Sequence, residues 1–226
     1  MVNIELFQGL HAIEFGGPSQ IYDTLGVYSV LTGCDGINFT TNPVFTQGQP
    51  MGAYNYQTGR SGRFWWCDAT DLAIFSDSSY DLALSSDNLE HIANPIRALV
   101  EWRRVIKPNG YIFLVLPRKE SNFDHQRPHT SFEHILSDYT NNVDEHDLTH
   151  LEEILRLHDL ERDPWAKPYE HFEQRSKDNF NNRCLHHHVF NTELIQCIFD
   201  YMDFETVSIN NTHSNYFALA RVKKNA

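Results

Sequence analysis

The sequence predicts an α/β fold with a mostly parallel sheet. Three observations support this prediction. Short apolar runs end at glycines or polar residues, helical segments lie between several of these runs, and residues 111–117 are apolar enough to form a strand buried on both faces. Because open parallel sheets bind ligands beyond the carboxyl ends of their strands, the polar residues that follow each run are the first candidates for a functional site.

The predicted elements follow one another in a regular order. Strands are predicted at residues 9–19, 33–39, 63–68, 80–85 and 111–117. Asn94 and Pro95 can supply the N-cap and first-turn proline of a helix that ends before the turn at residues 107–110. A second helix at 192–201 precedes a predicted antiparallel pair of strands at 204–209 and 216–222.

A long polar segment, approximately residues 118–188 and called the insert below, separates the fifth predicted strand from this ending. Ten of the thirteen histidines fall between residues 125 and 188. One helix is predicted at 148–158, with Asp147 as its N-cap. We expect the insert to cover the functional edge of the sheet as a helical lid within one domain that spans residues 1–226.

The composition excludes several classes of protein. Apolar residues make up 41% and charged residues 21%, which is typical of a soluble globular protein. The apolar runs are too short for a membrane helix and the first residues do not resemble a signal peptide, so the cytoplasm is the expected location. The net charge of −12 repels phosphate backbones and argues against nucleic acid as a partner. The four cysteines lack metal-binding spacing and are interpreted as reduced thiols.

Four segments resemble the motifs of class I S-adenosylmethionine-dependent methyltransferases of the type 11-like kind. They are Ala12-Ile-Glu-Phe-Gly-Gly-Pro-Ser19 and residues 67–72, 80–91 and 102–111. In order and spacing they match the family's glycine turn, the acid after its third strand, its fourth strand with a Leu-Glu-His ending, and the turn before its fifth strand. The resemblance covers about residues 8–117 and 189–222. It implies a Rossmann-like seven-stranded sheet, S-adenosyl-L-methionine as cofactor, and methyl transfer to an oxygen or nitrogen of a small-molecule acceptor.

The resemblance assigns cofactor binding to ten residues. They are Glu14, Gly16, Gly17, Pro18, Ser19, Asp35, Asn38, Asp68, Ala69 and Ser86. The glycine turn lets backbone N–H groups approach a ligand, and Glu14 before it is expected to receive the methionine ammonium group directly or through water. The turn departs from the family's Gly-x-Gly-x-Gly pattern, because Pro18 removes one backbone donor.

Polar residues after the second and third strands are expected to hold the nucleoside. Asp35 is preferred for the ribose hydroxyls, and Asn38 is the alternative if the strand runs longer. Asp68 is expected to accept a hydrogen bond from the adenine amino group, and the Ala69 N–H to donate to a ring nitrogen. The alternative for Asp68 is a helix N-cap.

The predicted catalytic residues are His91, His187 and Asp87. The methyl donor is already activated, so the enzyme must align the acceptor and remove a proton, for which a neutral histidine is well suited. His91 is the first choice of base because it follows the fourth strand, where Ser86 is expected beside the sulfonium. The alternative for His91 is a structural pair with Glu90 at the mouth of the sheet.

The insert supplies the predicted substrate contacts, which are Asp124, His125, Arg127, His150, His186 and His188. Residues 123–128, 147–150 and 185–190 resemble, more loosely, a subset of bacterial methyltransferases from glycan and secondary-metabolite pathways, which implies a small polar acceptor such as a sugar. A hydrogen-bonded lid is the structural alternative. His146, His150 and Glu153 could converge on a metal if the helix began at His146, but the sequence gives no complete ligand set and no metal is assigned.

Two other classes of function remain open. The proline in the glycine turn is compatible with a methyltransferase-like protein that binds a ligand or partner without turnover. The histidines of the insert are compatible with a metal-binding protein. The sequence does not determine the acceptor, the methylated atom or the oligomeric state.

Overall fold

The computed structural model describes residues 2–39 and 52–223 and contains a seven-stranded sheet. Its strands are β1 (His11–Phe15), β2 (Gly33–Asn38), β5 (Phe64–Trp66), β6 (Tyr80–Ser86), β7 (Ile106–Pro117), β8 (Phe204–Asn211) and β9 (Asn215–Val222), and a separate hairpin contains β3 (Tyr54–Gln57) and β4 (Arg60–Gly62). The sheet order is β5-β2-β1-β6-β7-β9-β8. The first five of these strands run parallel, whereas β9 is antiparallel to both β7 and β8. The predicted fold class and the antiparallel ending are confirmed.

Eight α-helices accompany the strands in the described residues. They are α1 (Gln20–Thr24), α2 (Val27–Val30), α3 (Pro95–Val105), α4 (Phe132–Thr140), α5 (Leu151–Leu157), α6 (Tyr169–Lys177), α7 (Asn179–Asn182) and α8 (Thr192–Tyr201). The α3 helix begins as predicted, because the Asn94 side chain accepts a hydrogen bond from the Arg97 N–H and Pro95 occupies the first turn. In the part of the chain that the structure describes, none of the helices is both long and apolar enough to cross a bilayer.

Apolar side chains cover both faces of the sheet. On one face, Trp102 of α3 and Phe199 of α8 are fully buried, and the Trp102 ring stacks on Phe15 at a centroid distance of 4.0 Å. On the other face, Tyr22 and Phe113 pack with α1, α2 and the hairpin. Successive residues of β7 contribute alternately to these two faces, as expected for a central strand. This double burial fixes the carboxyl ends of the strands, where the candidate site lies.

The sequence analysis did not predict the β3–β4 hairpin. It packs against β2 so closely that a Cβ atom on Gly62 would lie 1.9 Å from the Cys34 carbonyl oxygen, which only glycine avoids. The Arg60 guanidinium donates to the carbonyl oxygens of Tyr28 and Leu31, at 2.5 and 2.6 Å. Long-range contacts therefore hold the hairpin.

The insert contains α4 to α7 and is organised around a buried arginine. Arg127 donates to Asp124 Oδ1 at 2.9 Å, to Glu153 Oε1 at 2.8 Å and to the His186 carbonyl oxygen at 2.8 Å. The predicted N-cap at Asp147 is wrong, because α5 begins at Leu151 and Asp147 accepts instead from the Thr149 N–H.

Candidate functional site

A cavity of about 380 Å³ opens at the carboxyl ends of β1, β2, β5 and β6, beneath the insert. Seven of the predicted site residues line it: Gly16, Asn38, Asp68, Ala69, Asp87, His91 and His186. The cavity lies beyond the carboxyl ends of the strands, as expected for a parallel sheet. Residues far apart in the sequence therefore meet at one place.

A groove of about 510 Å³ adjoins the cavity, since Gly16 and Asp87 line both. The predicted cofactor residues Ser19 and Ser86 line this groove. Ser86 donates from its hydroxyl to Asp87 Oδ2 at 3.0 Å. Gly16 and Asp87 therefore lie where the cavity and the groove meet.

Both glycines of the turn are required by close contacts. Gly16 has a φ of +80°, and a Cβ atom there would lie 2.7 Å from Asn88 Oδ1. A Cβ atom on Gly17 would lie 2.3 Å from the Glu14 carboxyl group and 2.2 Å from the Tyr54 hydroxyl. The turn therefore packs closely between Asn88, which lines the cavity, and the buried carboxyl group of Glu14.

Glu14 contacts the glycine turn on the side away from the cavity. It is fully buried, and its carboxylate accepts hydrogen bonds from the Tyr54 hydroxyl at 2.6 Å, the Tyr28 hydroxyl at 2.7 Å and the Ser19 N–H at 3.0 Å. Burial raises the pKa of Glu14 to about 7, although these hydrogen bonds oppose the rise. Glu14 does not line the cavity, so a direct contact with a ligand ammonium group is not supported. Pro18 and Gly17 are also absent from its wall.

Asn38 replaces Asp35 as the candidate for the ribose. Asn38 is the last residue of β2 and lines the cavity. Asp35 lies nearer the start of the strand, where it accepts from the Tyr80 hydroxyl at 2.9 Å and the Arg63 N–H at 2.8 Å. The preference for Asp35 was wrong, because the strand runs three residues beyond it.

Asp68 lines the cavity and is tied to the insert. Its Oδ1 atom accepts from the Thr70 N–H at 2.9 Å, and its Oδ2 atom accepts from the Arg183 guanidinium at 2.9 Å. A turn follows Asp68, so the alternative of a helix N-cap is not supported. Arg183, to which the sequence assigned no role, lines the same cavity and also contacts Glu145 at 3.0 Å.

His91 lines the cavity and its ring is held by a backbone contact. Its Nδ1 atom lies 3.1 Å from the Leu185 carbonyl oxygen. Burial and the neighbouring His186 lower the pKa of His91 well below its ordinary value, so the ring is neutral at pH 7. The neutral tautomer that donates from Nδ1 leaves Nε2 as an acceptor. Burial also raises the pKa of Asp87, the third predicted catalytic residue.

Asp124 and His186 form a buried pair beside the cavity. Asp124 Oδ2 lies 2.5 Å from His186 Nδ1, and Arg127 holds the other carboxylate oxygen. Burial opposes a charge on His186, but Asp124 and Glu90 outweigh it and raise the pKa of His186 above its ordinary value. Conversely, His186 and Arg127 outweigh burial and lower the pKa of Asp124. The arrangement is that of a histidine oriented by a carboxylate.

His187 does not line the cavity. Its side chain is 1% exposed, and its Nε2 atom lies 3.0 Å from Asn179 Nδ2. Burial lowers the pKa of His187 to about 3. The prediction of His187 as the second choice of base is therefore wrong, and His186 is the histidine of the triplet that faces the cavity.

The other predicted substrate residues are engaged within the insert. His125 pairs with Asp159 at 2.9 Å, Arg127 is buried as described above, and His188 is buried beside the Ala93 carbonyl oxygen. His150 lies 2.9 Å from His134, as measured between their Nε2 atoms. Together with Asp124, these residues lie outside the cavity lining, so the structure does not support direct substrate contacts for them.

Two groups of side chains in residues 2–39 and 52–223 have ligand atoms close enough to hold a metal ion. One contains Glu90, His91 and His186, and the other contains His134, His150 and His188. Glu90 is buried, and neither of its carboxylate oxygens has a hydrogen-bond partner among the described residues; burial raises its pKa to about 8.

The alternative metal set of His146, His150 and Glu153 is not assembled. His146 is exposed and contacts Asp144, while Glu153 contacts Arg127. The helix on which these residues were to converge begins only at Leu151.

Comparisons with known proteins agree with this fold. Residues 51–114 match the family model described as a methyltransferase domain. A structure of an S-adenosylmethionine-dependent methyltransferase from Methanosarcina mazei is similar, with a TM-score of 0.53 and 16% identity over 98% of this chain and 97% of that chain. One from Mesorhizobium loti has a TM-score of 0.56 and 11% identity over 95% of this chain and 92% of that chain.

A third similar structure is the trans-methyltransferase CalH in complex with SAH. Its TM-score is 0.55 at 13% identity, and the match covers 97% of this chain and 53% of that chain. No curated protein sequence matches this chain. The structural likeness shows the Rossmann-like methyltransferase fold, and residues 51–114 are similar to the methyltransferase-domain family model. Together they confirm the resemblance to the class I S-adenosylmethionine-dependent methyltransferases, enzymes whose cofactor is S-adenosylmethionine.

Proposed function

We propose that this protein transfers a methyl group from S-adenosylmethionine to an oxygen or nitrogen of a small polar acceptor such as a sugar. One observation carries the proposal. The same cavity is lined by residues after four parallel strands, where the cofactor is expected, and by His186, which Asp124 orients. The expected cofactor site and the proposed base therefore lie in the same cavity.

The lining residues fit S-adenosylmethionine. Asn38 offers an amide to the ribose hydroxyls, and Asp68 offers a carboxylate to the adenine amino group. The adjoining groove, with Ser19 and Ser86, has the polar groups that the methionine part requires. Gly16 stands between the two parts, where a side chain would clash with Asn88.

The residues of the chain supply the proton chemistry. When bound, S-adenosylmethionine supplies a methyl group on a positively charged sulfur atom. His186 is the proposed base, and it acts from its neutral form: when only Nδ1 carries a proton and donates it to Asp124, Nε2 is free to take the acceptor's proton. The acceptor's O–H or N–H bond breaks as the new bond to the methyl group forms, and the proton ends on His186. Asp124 stabilises the resulting imidazolium.

His91 and Glu90 shape the surroundings of this base. The His91 ring lies edge-on to the His186 ring at a centroid distance of 4.5 Å. Because burial keeps His91 neutral, it does not repel the imidazolium that forms on His186. His91 is thus better suited to accept a hydrogen bond from the acceptor than to take its proton, since a base with a strongly lowered pKa gains little from protonation.

The main alternative is a protein of the same fold that binds its ligand without turnover. The buried Asp124–His186 pair argues against it. A buried carboxylate carries a desolvation cost that ligand binding alone does not require, whereas a histidine oriented by that carboxylate beside a methyl donor has a direct use as a base.

Calorimetry with S-adenosylhomocysteine tests the cofactor site. Asn38→Ala and Asp68→Ala should each weaken binding about five- to one hundredfold, roughly 1–3 kcal/mol, because each leaves a hydrogen-bond partner of the ligand unmatched. Asp35→Asn is the matched control, because Asp35 lies outside the cavity, and it should bind like wild type. Wild-type protein that binds neither S-adenosylmethionine nor its demethylated product contradicts the proposal.

Mass spectrometry with a panel of sugars, hydroxyacids and amines tests turnover. The expected result is one methylated product that accumulates together with S-adenosylhomocysteine. A protein that binds the cofactor tightly but methylates no member of a broad panel would favour the non-catalytic alternative.

A further inference from the structure

We propose that His134, Asp138, His150 and His188 form a zinc site inside the insert. Nothing in this proposal depends on the methyltransferase activity, because none of the four residues lines the cavity. The four side chains come from three separate parts of the chain. His134 and Asp138 lie one turn apart on α4, His150 is the residue before α5, and His188 precedes α8.

The separations of two ligand-atom pairs are close to those of a tetrahedral zinc site. His134 Nε2 lies 2.9 Å from His150 Nε2 and 3.3 Å from Asp138 Oδ2. One ligand atom from each of the three histidines falls within 4.8 Å of the others. Zinc bonds of about 2.0–2.1 Å in tetrahedral geometry imply ligand atoms about 3.3 Å apart. The three histidines and Asp138 are therefore near enough to one another to share a metal ion.

Two of the four side chains have a buried polar atom without a hydrogen-bond partner among the described residues. The Asp138 side chain is 10% exposed and its Oδ2 atom has no hydrogen-bond partner among the described residues, although the His134 ring is near it. The Nδ1 atom of the fully buried His188 also has no partner in residues 2–39 and 52–223. Buried polar atoms without partners cost free energy, and a divalent cation would engage both a ring nitrogen and the carboxylate.

The donor set selects the kind of metal. Three imidazoles and one carboxylate suit zinc, whereas magnesium and calcium prefer oxygen ligands. His188 has the supporting contact usual for a ligating histidine, because its Nε2 atom lies 3.1 Å from the Ala93 carbonyl oxygen and can donate to it. The other ring nitrogen then remains for the metal.

A metal here would join distant parts of the insert to one another. It would connect α4 and the start of α5 to the segment that leads into α8, two residues after His186. The group of Glu90, His91 and His186 is different, because its two histidines line the cavity and it belongs to the proposed active site. Different substitutions would therefore remove the metal, depending on which of the two groups binds it.

Elemental analysis of untagged protein, purified without chelator and dialysed, is the first test. The expected content is about one zinc per chain. His134→Ala and His150→Ala should lose it, whereas His146→Ala and His213→Ala should keep it, because these two histidines are exposed and lie outside the site. His134 and His150 are both partly exposed, so their replacement is compatible with folding, which circular dichroism checks.

A titration gives the second test. Chelator-treated protein is titrated with ZnCl₂ in competition with a chromophoric chelator, and MgCl₂ serves as the control ion. Asp138→Asn should weaken zinc binding at least about tenfold, the lower end of the effect of altering even a supporting contact. ZnCl₂ should raise the melting temperature of the wild type, and MgCl₂ should not.

Two outcomes would overturn the proposal. One is wild-type protein that contains no zinc and shows no shift in melting temperature with ZnCl₂. The other is zinc that His91→Ala removes and His134→Ala leaves in place, since that pattern locates the metal in the cavity wall. Calorimetry with S-adenosylhomocysteine reports the cofactor site separately, so failure of the metal proposal is distinguishable from failure of the proposed function.

Discussion

Asp124 Oδ2 lies 2.5 Å from His186 Nδ1, although the two residues are 62 positions apart in the sequence. His186 lines the cavity, and Asp124 lies behind it in contact with Arg127. The pair links the proposed base to the charged groups of the insert, Arg127 and Glu153. Substitutions of these charged residues are therefore expected to alter the position or the pKa of His186.

His186→Ala should lower kcat at least about a hundredfold, because general-base help contributes roughly 10² to 10⁴ in rate. Affinity for S-adenosylhomocysteine should stay within about twofold, since a base acts mainly in the transition state. Steady-state kinetics and calorimetry measure the two quantities. His125→Ala is the control, because it removes a histidine of the insert that lies outside the cavity. Wild-type kcat in His186→Ala would exclude this residue as the base.

Arg183→Ala should accelerate the dissociation of S-adenosylhomocysteine roughly tenfold, because a charge-assisted contact of about 1–2 kcal/mol is lost. Arg183 donates to Asp68 Oδ2 and so ties the insert to the cavity wall. Stopped-flow displacement measures the rate. Arg162→Ala, which removes an arginine outside the cavity lining, should leave it unchanged. An unaltered rate in Arg183→Ala would mean that this contact does not retain the ligand.

Arg127→Met should lower the free energy of unfolding by about 3–5 kcal/mol, because it leaves the buried Asp124 carboxylate without its arginine partner. Urea denaturation followed by circular dichroism measures the loss. Lys177→Met, which removes an exposed ion pair with Glu173, should cost less than about 1 kcal/mol. Equal losses in the two variants would contradict the structural role of Arg127.

Glu14 makes folding depend on pH. Burial raises its pKa from 4.5 to about 7, so folding favours the protonated form. Its contribution to stability is complete below about pH 4.5 and is lost as the pH rises through about 7. Between these two values the free energy of unfolding falls by up to roughly 1.4 kcal/mol for each pH step of one. Glu14→Gln should therefore lose less stability than wild type between about pH 5 and pH 8.

Urea denaturation across this range measures the difference between Glu14→Gln and wild type. Other buried carboxyl groups titrate in both proteins and cancel in that difference. Glu5→Gln, at an exposed position, is the control and should follow the wild type. Parallel pH profiles of Glu14→Gln and wild type would contradict the raised pKa.

Local signals in the sequence predicted much of the fold. The strands of the parallel sheet end at glycines and polar residues, and the Asn94-Pro95 pair marks the start of α3. The β3–β4 hairpin was not predicted, because the contacts that hold it join residues distant in sequence. Arg60 donates hydrogen bonds to carbonyl oxygens 29 and 32 residues away. Long-range contacts of this kind leave no local pattern.

The candidate site was predicted less completely than the fold. Asn38, the alternative to Asp35, and Asp68 could be named from the sequence because both positions depend on where a strand ends. The structure does not support a direct ligand contact for Glu14 or a place for His187 in the cavity lining, because the direction of a side chain depends on partners such as Tyr54, which is 40 residues from Glu14. Arg183 was assigned no role because the contact that brings it to Asp68 spans 115 residues.

The three consecutive histidines near the end of the insert have separate partners: Asp124, Asn179 and the Ala93 carbonyl oxygen. Because each histidine has a different partner, the triplet is a poor place for substitutions intended to change the acceptor. A library at the triplet would disturb three regions of the molecule at once. Ile92 and Cys184 also line the cavity, and neither belongs to the Asp124–His186 pair. Randomising these two positions would vary the shape of the acceptor pocket while preserving the proton-transfer pair.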